Sequence, residues 1–336
     1  MKSSSLAVVT GAAGFIGSHI VDLLLAEGLR VRGIDNLSSG RIENLAHHKT
    51  NADLAVDNRD LREVGSNDSL FRGAEYVFHF AGMGDIVPSI ECPVDYVSAN
   101  VMGTVHALES ARAAGVKKFL YAASSSCYGV ATELPTTERA PINPQYPYAL
   151  SKYLGEEAVF HWGRVYRLPV ISIRMFNVYG PRSRTSGAYG AVFGVFLKQK
   201  LAGKPFTVVG DGTQTRDFVF ATDVARAFWL AALSTRAGEI YNVGAGSPQS
   251  VNRLVELLGG GEAVHLPKRP GEPDCTWAGI SKIKAHLGWS PMVPFEEGVA
   301  AMLQHIDYWR NAPLWDVASV QAATKAWFNS LSGEKA

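Results

Sequence analysis

Short apolar runs alternate with longer stretches of helical period through the first half of the chain. Leu6–Val9, Val31–Ile34, Leu54–Val56, Tyr76–Phe80, Lys118–Ala123 and Val170–Met175 read as strands, most of them apolar at successive positions. An unbroken apolar run suits a strand covered on both faces, as in a parallel sheet. Between them, Ile20, Val21, Leu23, Leu24 and Leu25 recur at helical spacing up to Gly28, and Val94–Ala114 and Tyr148–Tyr166 predict two long helices. Alternation of this kind predicts an α/β fold, a doubly wound parallel sheet with right-handed crossovers. Its ligand belongs at the carboxyl ends of the strands.

After Asn177 the texture changes to clustered Gly, Arg and Ser, with a helix expected from about Ala188 to Leu201 and a short strand at Phe206–Val209. Asp223–Leu233 (helix) and Glu239–Val243 (strand) look like a further addition to the main sheet. From Gly244 onward, short elements separated by Gly and Pro suggest a smaller unit. The expected division is a dinucleotide-binding domain of residues 1–176 plus about 217–243, and a substrate-binding domain of about 177–216 plus 244–336. Gly259-Gly260-Gly261 is expected to be a flexible turn, and Trp309, Trp315 and Trp327 packing anchors.

Composition narrows the function classes. Apolar residues are 47% of the 336, enough for a large core, and the formal net charge is only +1. With no basic run beyond Lys117-Lys118, no nucleic-acid partner is expected. No apolar run approaches the ~18 residues of a membrane span, and Met1–Ser5 lead directly into the first strand, so a cytoplasmic protein is expected. Three scattered cysteines, Cys92, Cys127 and Cys275, fit reduced thiols. The histidines show no metal-ligand spacing, and no metal is expected; His47-His48 reads as a solvated pair and His79 as a buried strand residue.

The chemistry begins at Thr10-Gly11-Ala12-Ala13-Gly14-Phe15-Ile16-Gly17, where the first strand turns into the first helix. Glycines there permit a tight turn and close backbone approach, while the helix start, Phe15 and Ile16, offers N–H groups to a pyrophosphate. The whole is a Rossmann-like βαβ opening. Asp35 ends the second strand, where an acid accepts hydrogen bonds from the adenosine ribose and disfavours a 2′-phosphate, so NAD is favoured over NADP despite Arg41 nearby. Asn36 adjoins it, Asp57 and Asn58 end the third strand beside the expected adenine, and Phe80-Ala81-Gly82 leaves the fourth open for the cofactor to cross. Tyr148 and Lys152, four apart on one helix, present a phenol and an ammonium together. A tyrosine titrating near 10 needs such a cation, and the charge of oxidised nicotinamide, to act as a base. Lys152 also has the reach to hold the nicotinamide ribose. Ser124, at the end of the fifth strand, is placed to steer a substrate proton to Tyr148.

The glycine turn, Ser124 and the Tyr148-x-x-x-Lys152 pair together resemble the extended short-chain dehydrogenase/reductase family, and within it the nucleotide-sugar epimerases and dehydratases. Supporting matches are His79–Gly82, Ser98-Ala99-Asn100-Val101, Phe176–Arg182, Gly210-Asp211-Gly212, Arg216-Asp217-Phe218, Arg269-Pro270-Gly271-Glu272 and Leu287-Gly288-Trp289. The resemblance implies tightly held NAD, with Asn100 among its contacts, and a UDP-sugar between two domains. It implies diphosphate-binding roles for Asn177, Arg216 and Arg269, which suits arginine forks. The plainer reading of Arg216 is an ion pair with Asp217 or Asp223; for Arg174 an ion pair is preferred.

In the 4,6-dehydratases of this family an acidic residue or pair directly follows the catalytic Ser/Thr. Here Ser125 and Ser126 stand there, substrate-facing but too weakly acidic to expel a C6 hydroxyl, which favours epimerisation at C4 of UDP-glucose/galactose or their N-acetylated counterparts. A 4,6-dehydratase and a UDP-glucuronate 4-epimerase are the alternatives; Arg184 is placed to face a uronic carboxylate or only the rim. A non-catalytic NAD sensor would be expected to lack the Tyr148/Lys152 pair. Cys127 is expected to pack rather than react. Thr276, counted from the Arg269 motif, falls beside the C2 substituent, where a small residue leaves room for an N-acetyl group. The resemblance also implies a homodimer, pairing the helices around Asn100–Ala114 and Tyr148–Tyr166 through Val105, Leu108, Val159 and Phe160.

Overall fold

The computed structural model describes residues 5–184 and 192–331. Six strands in chain order, β1 (Leu6–Thr10), β2 (Arg30–Ile34), β3 (Leu54–Asp57), β4 (Tyr76–His79), β5 (Lys118–Ser124) and β6 (Val170–Met175), join Glu239–Val243 in one seven-stranded sheet. From one edge its order is Glu239–Val243, β6, β5, β4, β1, β2, β3. Every pairing in it is parallel, with Thr10 opposite both Ile34 and His79, and Ser124 opposite Met175. The order reverses between β1 and β4, and that reversal opens the crevice of a doubly wound sheet.

Each face carries its own helices, as the apolar strands require. Helix α1 (Phe15–Ala26) and the Ala221–Leu233 helix cover one face with Ile20, Val21, Leu24, Val224 and Phe228. The Gly103–Ala114 and Pro147–Tyr166 helices cover the other with Ala107, Leu108, Ala111 and Val159. Leu108 and Val159 are therefore fully buried inside the protomer. They do not face outward as the two-fold pairing required; the apolar residues those helices do expose are Leu150, Leu154, Val165 and Tyr166, with Met102 just before.

The stretch expected as one helix from Val94 is three pieces: Pro93–Val97, a widened turn at Ser98–Met102, and Gly103–Ala114. The Thr104 hydroxyl donates to the Asn100 carbonyl at 2.6 Å. On the neighbouring helix Gly155 sits so close that a Cβ there would fall 2.8 Å from the same carbonyl oxygen. Such π-type bulges mark places where the helix bends around something, frequently at functional sites. Here it sets Asn100 against the helix that carries Tyr148.

A third core of Tyr179, Phe193, Phe218, Phe220, Phe295 and Trp309 lies beyond the main sheet. The helix expected from Ala188 is observed from Val192 to Leu201; Ala188 itself lies outside the described residues. Asp217 ties this region to the sheet: fully buried, it accepts backbone N–H bonds from Ala245 (2.6 Å), Gly246 (3.1 Å) and Ala278 (2.8 Å). Among the described residues no helix is long and apolar enough to cross a membrane.

Arg174 on β6 and Glu156 on the Tyr148 helix form the ion pair expected of Arg174, with both side chains under 5% exposed. Arg174 Nε donates to both carboxylate oxygens at 3.1 Å, Ser172 donates to Glu156 at 2.6 Å, and Arg174 donates to the Tyr128 hydroxyl at 2.9 Å. Removing one partner of such a pair strands a buried charge, so Glu156→Ala should lower stability by about 3–5 kcal/mol in urea unfolding. A loss below about 1 kcal/mol would show that the pair is dispensable.

Candidate active site

A cleft of about 800 Å³ runs along the carboxyl ends of β1, β2, β4 and β5. Its floor is the glycine turn. Gly11 has φ +69°, and a Cβ on it would fall 2.8 Å from the Ala81 nitrogen and 2.9 Å from the Phe80 carbonyl carbon. A Cβ on Gly17 would land on the Gly11 carbonyl oxygen. Only glycine lets β1, β4 and α1 converge this tightly. Gly14 caps α1 with no side chain, leaving the positive end of the helix dipole directed at the cleft, which Phe15, Ile16 and Gly17 line. This backbone cradle fits a dinucleotide pyrophosphate.

Asp35 lies beside the turn, only 8% exposed, accepting from the backbone N–H of Ala13 at 3.0 Å and of Leu37 at 2.9 Å. Burial pushes its titration up, and those N–H groups pull it back. The carboxylate is thus fixed in orientation with the cleft before it. Arg41 lies with its guanidinium 5.3 Å over the Tyr308 ring. Asn36 lines the cleft and donates to Asp60 at 2.9 Å. Asp57 and Asn58 are not among the residues lining this cleft: Asp57 bonds Arg59 at 3.0 Å, and Asn58 is exposed. The wall at that end is instead Asp60, Leu61 and Arg62, the short helical turn after β3.

Phe80, Ala81 and Gly82 line the middle of the cleft. Asn100, fully buried, acts there through others: it accepts from Met83 N at 2.7 Å, and donates to Met83 O at 3.0 Å and to Ser151 Oγ at 2.8 Å. It holds the β4 loop against the helix bearing Tyr148. His79 is the buried strand residue expected, held near neutral by burial, which lowers its titration to about 3. Its ring bridges the Thr10 (2.7 Å) and Thr104 (2.9 Å) hydroxyls.

Ser124, Tyr148 and Lys152 meet at the far end of the cleft. The Ser124 hydroxyl lies 2.8 Å from the Ser126 hydroxyl, and Ser124 and Tyr148 line the same end of the cleft. Burial pushes the Tyr148 phenol above its ordinary value; the Ser124 hydroxyl opposes the shift. Lys152 is only 8% exposed, its ammonium 4.5 Å from the Tyr121 ring centroid, and burial lowers its titration to about 8 against the pull of Glu156. The cation expected beside Tyr148 is present, but it leans on Tyr121, and Ser124 is the group that favours the phenolate. Cys127 is buried and packed, its thiol pushed up to about 12.

Of the residues assigned to substrate, Arg184 lines the cleft, and Asn177, Arg216, Arg269 and Thr276 are not among its lining residues. Arg216 pairs with Glu272 at 2.8 Å, not with Asp217 or Asp223, and Arg269 reaches the other oxygen of Glu272 at 3.7 Å. Asp217 is unavailable because backbone N–H groups already saturate it. The Thr276 hydroxyl donates to Asn177 Oδ1 at 2.8 Å and accepts from Asp217 N at 3.1 Å, locking two loops together. Arg184 lines the cleft and pairs with Asp85. Ser125 and Ser126 follow Ser124 in one 3₁₀ turn.

Three features lay outside the sequence pattern. Glu272 stands in the Arg269 motif but gained a role only when the fold set it between two arginines. Tyr146 stacks parallel to Tyr148, their centroids 6.3 Å apart. His47 and His48, expected to be solvated, both direct Nε2 at Asp22 Oδ1, at 2.7 and 2.9 Å, making a group close enough to hold a metal. Arg182 occupies the other oxygen of Asp22 at 2.6 Å. The helical partner Asp22 is invisible to a spacing rule.

Lys152 carries a stability consequence with a definite sign. Its titration falls from 10.5 to about 8 on folding, so the unfolded chain binds more protons between those values and stability rises with pH there. Below pH 8 the full cost remains, with a ceiling of about 3 kcal/mol. Cofactor-free Lys152→Met should therefore be more stable than the parent at pH 7, with the gap closing as pH approaches 10.5. A less stable variant at pH 7 in urea titration would refute this.

Comparison with known proteins agrees with this geometry. The NAD dependent epimerase/dehydratase family matches residues 7–244. The UDP-glucose 4-epimerase of Mycolicibacterium smegmatis is 38% identical over 312 residues, covering 90% of this chain and 98% of that protein. Among solved structures, the UDP-glucuronic acid 4-epimerase of Bacillus cereus, in complex with UDP-glucuronic acid and NAD, superimposes with a TM-score of 0.84 at 31% identity, covering 90% of this chain and 99% of its own. A UDP-N-acetylglucosamine 4-epimerase of Methanobrevibacter ruminantium, in complex with UDP-N-acetylmuramic acid, gives 0.84 at 31%, covering 91% and 100%. The chain has an extended short-chain dehydrogenase/reductase fold and belongs to the NAD dependent epimerase/dehydratase family.

Proposed function

We propose that this protein is an NAD-dependent 4-epimerase of a UDP-activated hexose, the sugar being glucose/galactose or their N-acetylated forms. The observation that carries it is the strand end at Ser124: Ser124 and Tyr148 line one end of the cleft, and Ser125 and Ser126 follow in place of an acid. A 4,6-dehydratase needs a proton donor there to expel the C6 hydroxyl, and a serine is too weak an acid at neutral pH.

NAD held in the cradle would supply the acceptor and then the donor of the C4 hydride. Tyr148 takes the proton of the C4 hydroxyl, with Ser124 holding that hydroxyl and sharing the proton along its hydrogen bond. Lys152, charged below about pH 8, supports the phenolate and is placed for the nicotinamide ribose. Asn100 keeps Ser151, and so the helix of Tyr148, at fixed distance from the β4 loop. Tyr148 then returns the proton to O4 when hydride has come back to the other face of the 4-keto sugar. Hydride and proton both return, so no redox equivalent is consumed. Arg216, Arg269 and Asn177 are the diphosphate-holding residues in this reading. Acceptance of an N-acetyl group follows from the small Thr276, and a homodimer is proposed with it, through the exposed Met102, Leu150 and Leu154 rather than Leu108 and Val159.

Incubation of purified protein with a panel of UDP-hexoses, UDP-N-acetylhexosamines and UDP-glucuronate, with product analysis, tests the assignment directly. Interconversion of C4 epimers without added NADH is expected; a 4-keto-6-deoxy product would make it a dehydratase, and turnover of UDP-glucuronate alone would favour the uronate role of Arg184. Tyr148→Phe should cut turnover by about 10²–10⁴-fold while keeping bound NAD, measured in the supernatant of denatured protein. Wild-type turnover in that variant would remove Tyr148 from the mechanism.

A further inference from the structure

Tyr146 occupies the N-cap of the Pro147–Tyr166 helix, where Ser, Thr, Asp or Asn ordinarily accepts a bond from the first turn. It makes no side-chain capping bond. A bulky phenol at that position does nothing for the helix, so its reason lies elsewhere. Its ring is nearly parallel to Tyr148, 10° between planes at 6.3 Å. Tyr148 lines the cleft with Ser124, whose hydroxyl lies 2.8 Å from that of Ser126. With Tyr148 on one side and Trp327, which carries Arg269 over its ring, on the other, Tyr146 stands between the Tyr148 phenol and Arg269.

The position is braced from behind. Trp327, in the terminal helix Val317–Leu331, packs its ring 6.1 Å from that of Tyr146. Trp327 is 4% exposed, its indole N–H donates to the Pro270 carbonyl at 2.8 Å, and Arg269 lies 5.5 Å over its ring. One indole thus fixes the Tyr146 ring, the loop of the Arg269 motif and the Arg269 guanidinium.

We propose that Tyr146, backed by Trp327, is the wall along which the sugar lies and a specificity-determining residue for the substituents it carries. This rests on the proposed function: a hexose with its diphosphate at Arg216 and Arg269 and its C4 hydroxyl at Ser124 and Tyr148 has to span the distance that Tyr146 fills. Apolar and aromatic walls with a few fixed polar groups are how such pockets read shape. Tyr146 is a rigid wall because the indole holds it, and Trp327 is a positioning residue that acts through it.

The test is the ratio of kcat/KM for UDP-N-acetylglucosamine to that for UDP-glucose, with bound NAD measured alongside. Tyr146→Ala opens the wall and should raise the ratio about 10-fold or more, whereas Tyr146→Phe, which keeps the ring, should leave it within about twofold, as expected for pocket-shape discrimination. Trp327→Ala should move the ratio in the same direction by less, and Trp327→Phe should restore it. Bound NAD should match the parent in all four. An unchanged ratio in an active Tyr146→Ala enzyme overturns the proposal, as does an equal loss of both substrates or a loss of NAD, either of which makes Tyr146 scaffold. If Tyr146→Ala does not fold, an unchanged ratio in Trp327→Ala overturns it instead. A parent protein that turns over no UDP-hexose counts against the proposed function, not against the placement of Tyr146.

Discussion

No side chain fits where β1 leaves the sheet, and the site follows from that. The Gly11 turn passes under the Phe80–Ala81 peptide with less than a Cβ of clearance, and the Gly17 backbone in turn rests on the Gly11 carbonyl. Because three backbones meet there with no side chain between them, α1 begins at the crest of the sheet and its uncapped first turn faces the cleft. The same turn directs Ala13 N at Asp35, fixing the carboxylate at the tip of β2. The backbone cradle and the fixed Asp35 carboxylate are two results of one close approach. Pre-organisation of that kind suits a cofactor held through turnover rather than exchanged at each cycle.

The catalytic end is arranged by charge. Lys152 and Glu156 lie one turn apart on the same helix, and Glu156 is largely matched by Arg174 across the layer. Were Glu156 unmatched, its charge would hold Lys152 more firmly protonated; with Arg174 in place, burial prevails and the ammonium titrates near 8. Tyr148 has its phenol raised by the same burial, with only a neutral hydroxyl in opposition. The pocket is poised to gain from an added positive charge, and the nicotinamide is positively charged in its oxidised form only. In the proposed reaction this would couple proton transfer at Tyr148 to the cofactor's redox state through electrostatics.

The sheet and most of the cofactor side were legible in the sequence because they depend on local pattern. Apolar runs, glycines at a βα turn and an acid at the next strand end sit within one βαβ unit, and Tyr148 and Lys152 share a helix. What was not legible depends on contacts distant in sequence. Ser98–Met102 looks helical and is, but Gly155 and Thr104 reshape it around the Asn100 carbonyl. Leu108 and Val159 have the composition of an outer stripe and lie in the core because two long helices cover one face together. The cleft beyond Asp35 is lined by Arg59–Arg62 rather than Asp57-Asn58, with Asp57 bound to Arg59. Arg216 has two aspartates nearby in sequence, yet its partner is 56 residues away.

That distant partner shows how the substrate side differs from the cofactor side. Glu272 takes Arg216 on one oxygen and faces Arg269 with the other, so two guanidinium groups that would repel in an empty pocket are held side by side. The three charges sum to +1, leaving a net attraction for an anion while keeping both forks oriented. Trp327 places Arg269 from outside through its ring. In the proposed role, a diphosphate would meet arginines already ordered, so less rotamer entropy would be lost on binding. The cofactor site reaches readiness through backbone that cannot move, and the substrate side reaches it through side chains that restrain each other. The second arrangement can loosen and reform, which suits the proposed exchange of a sugar at each cycle.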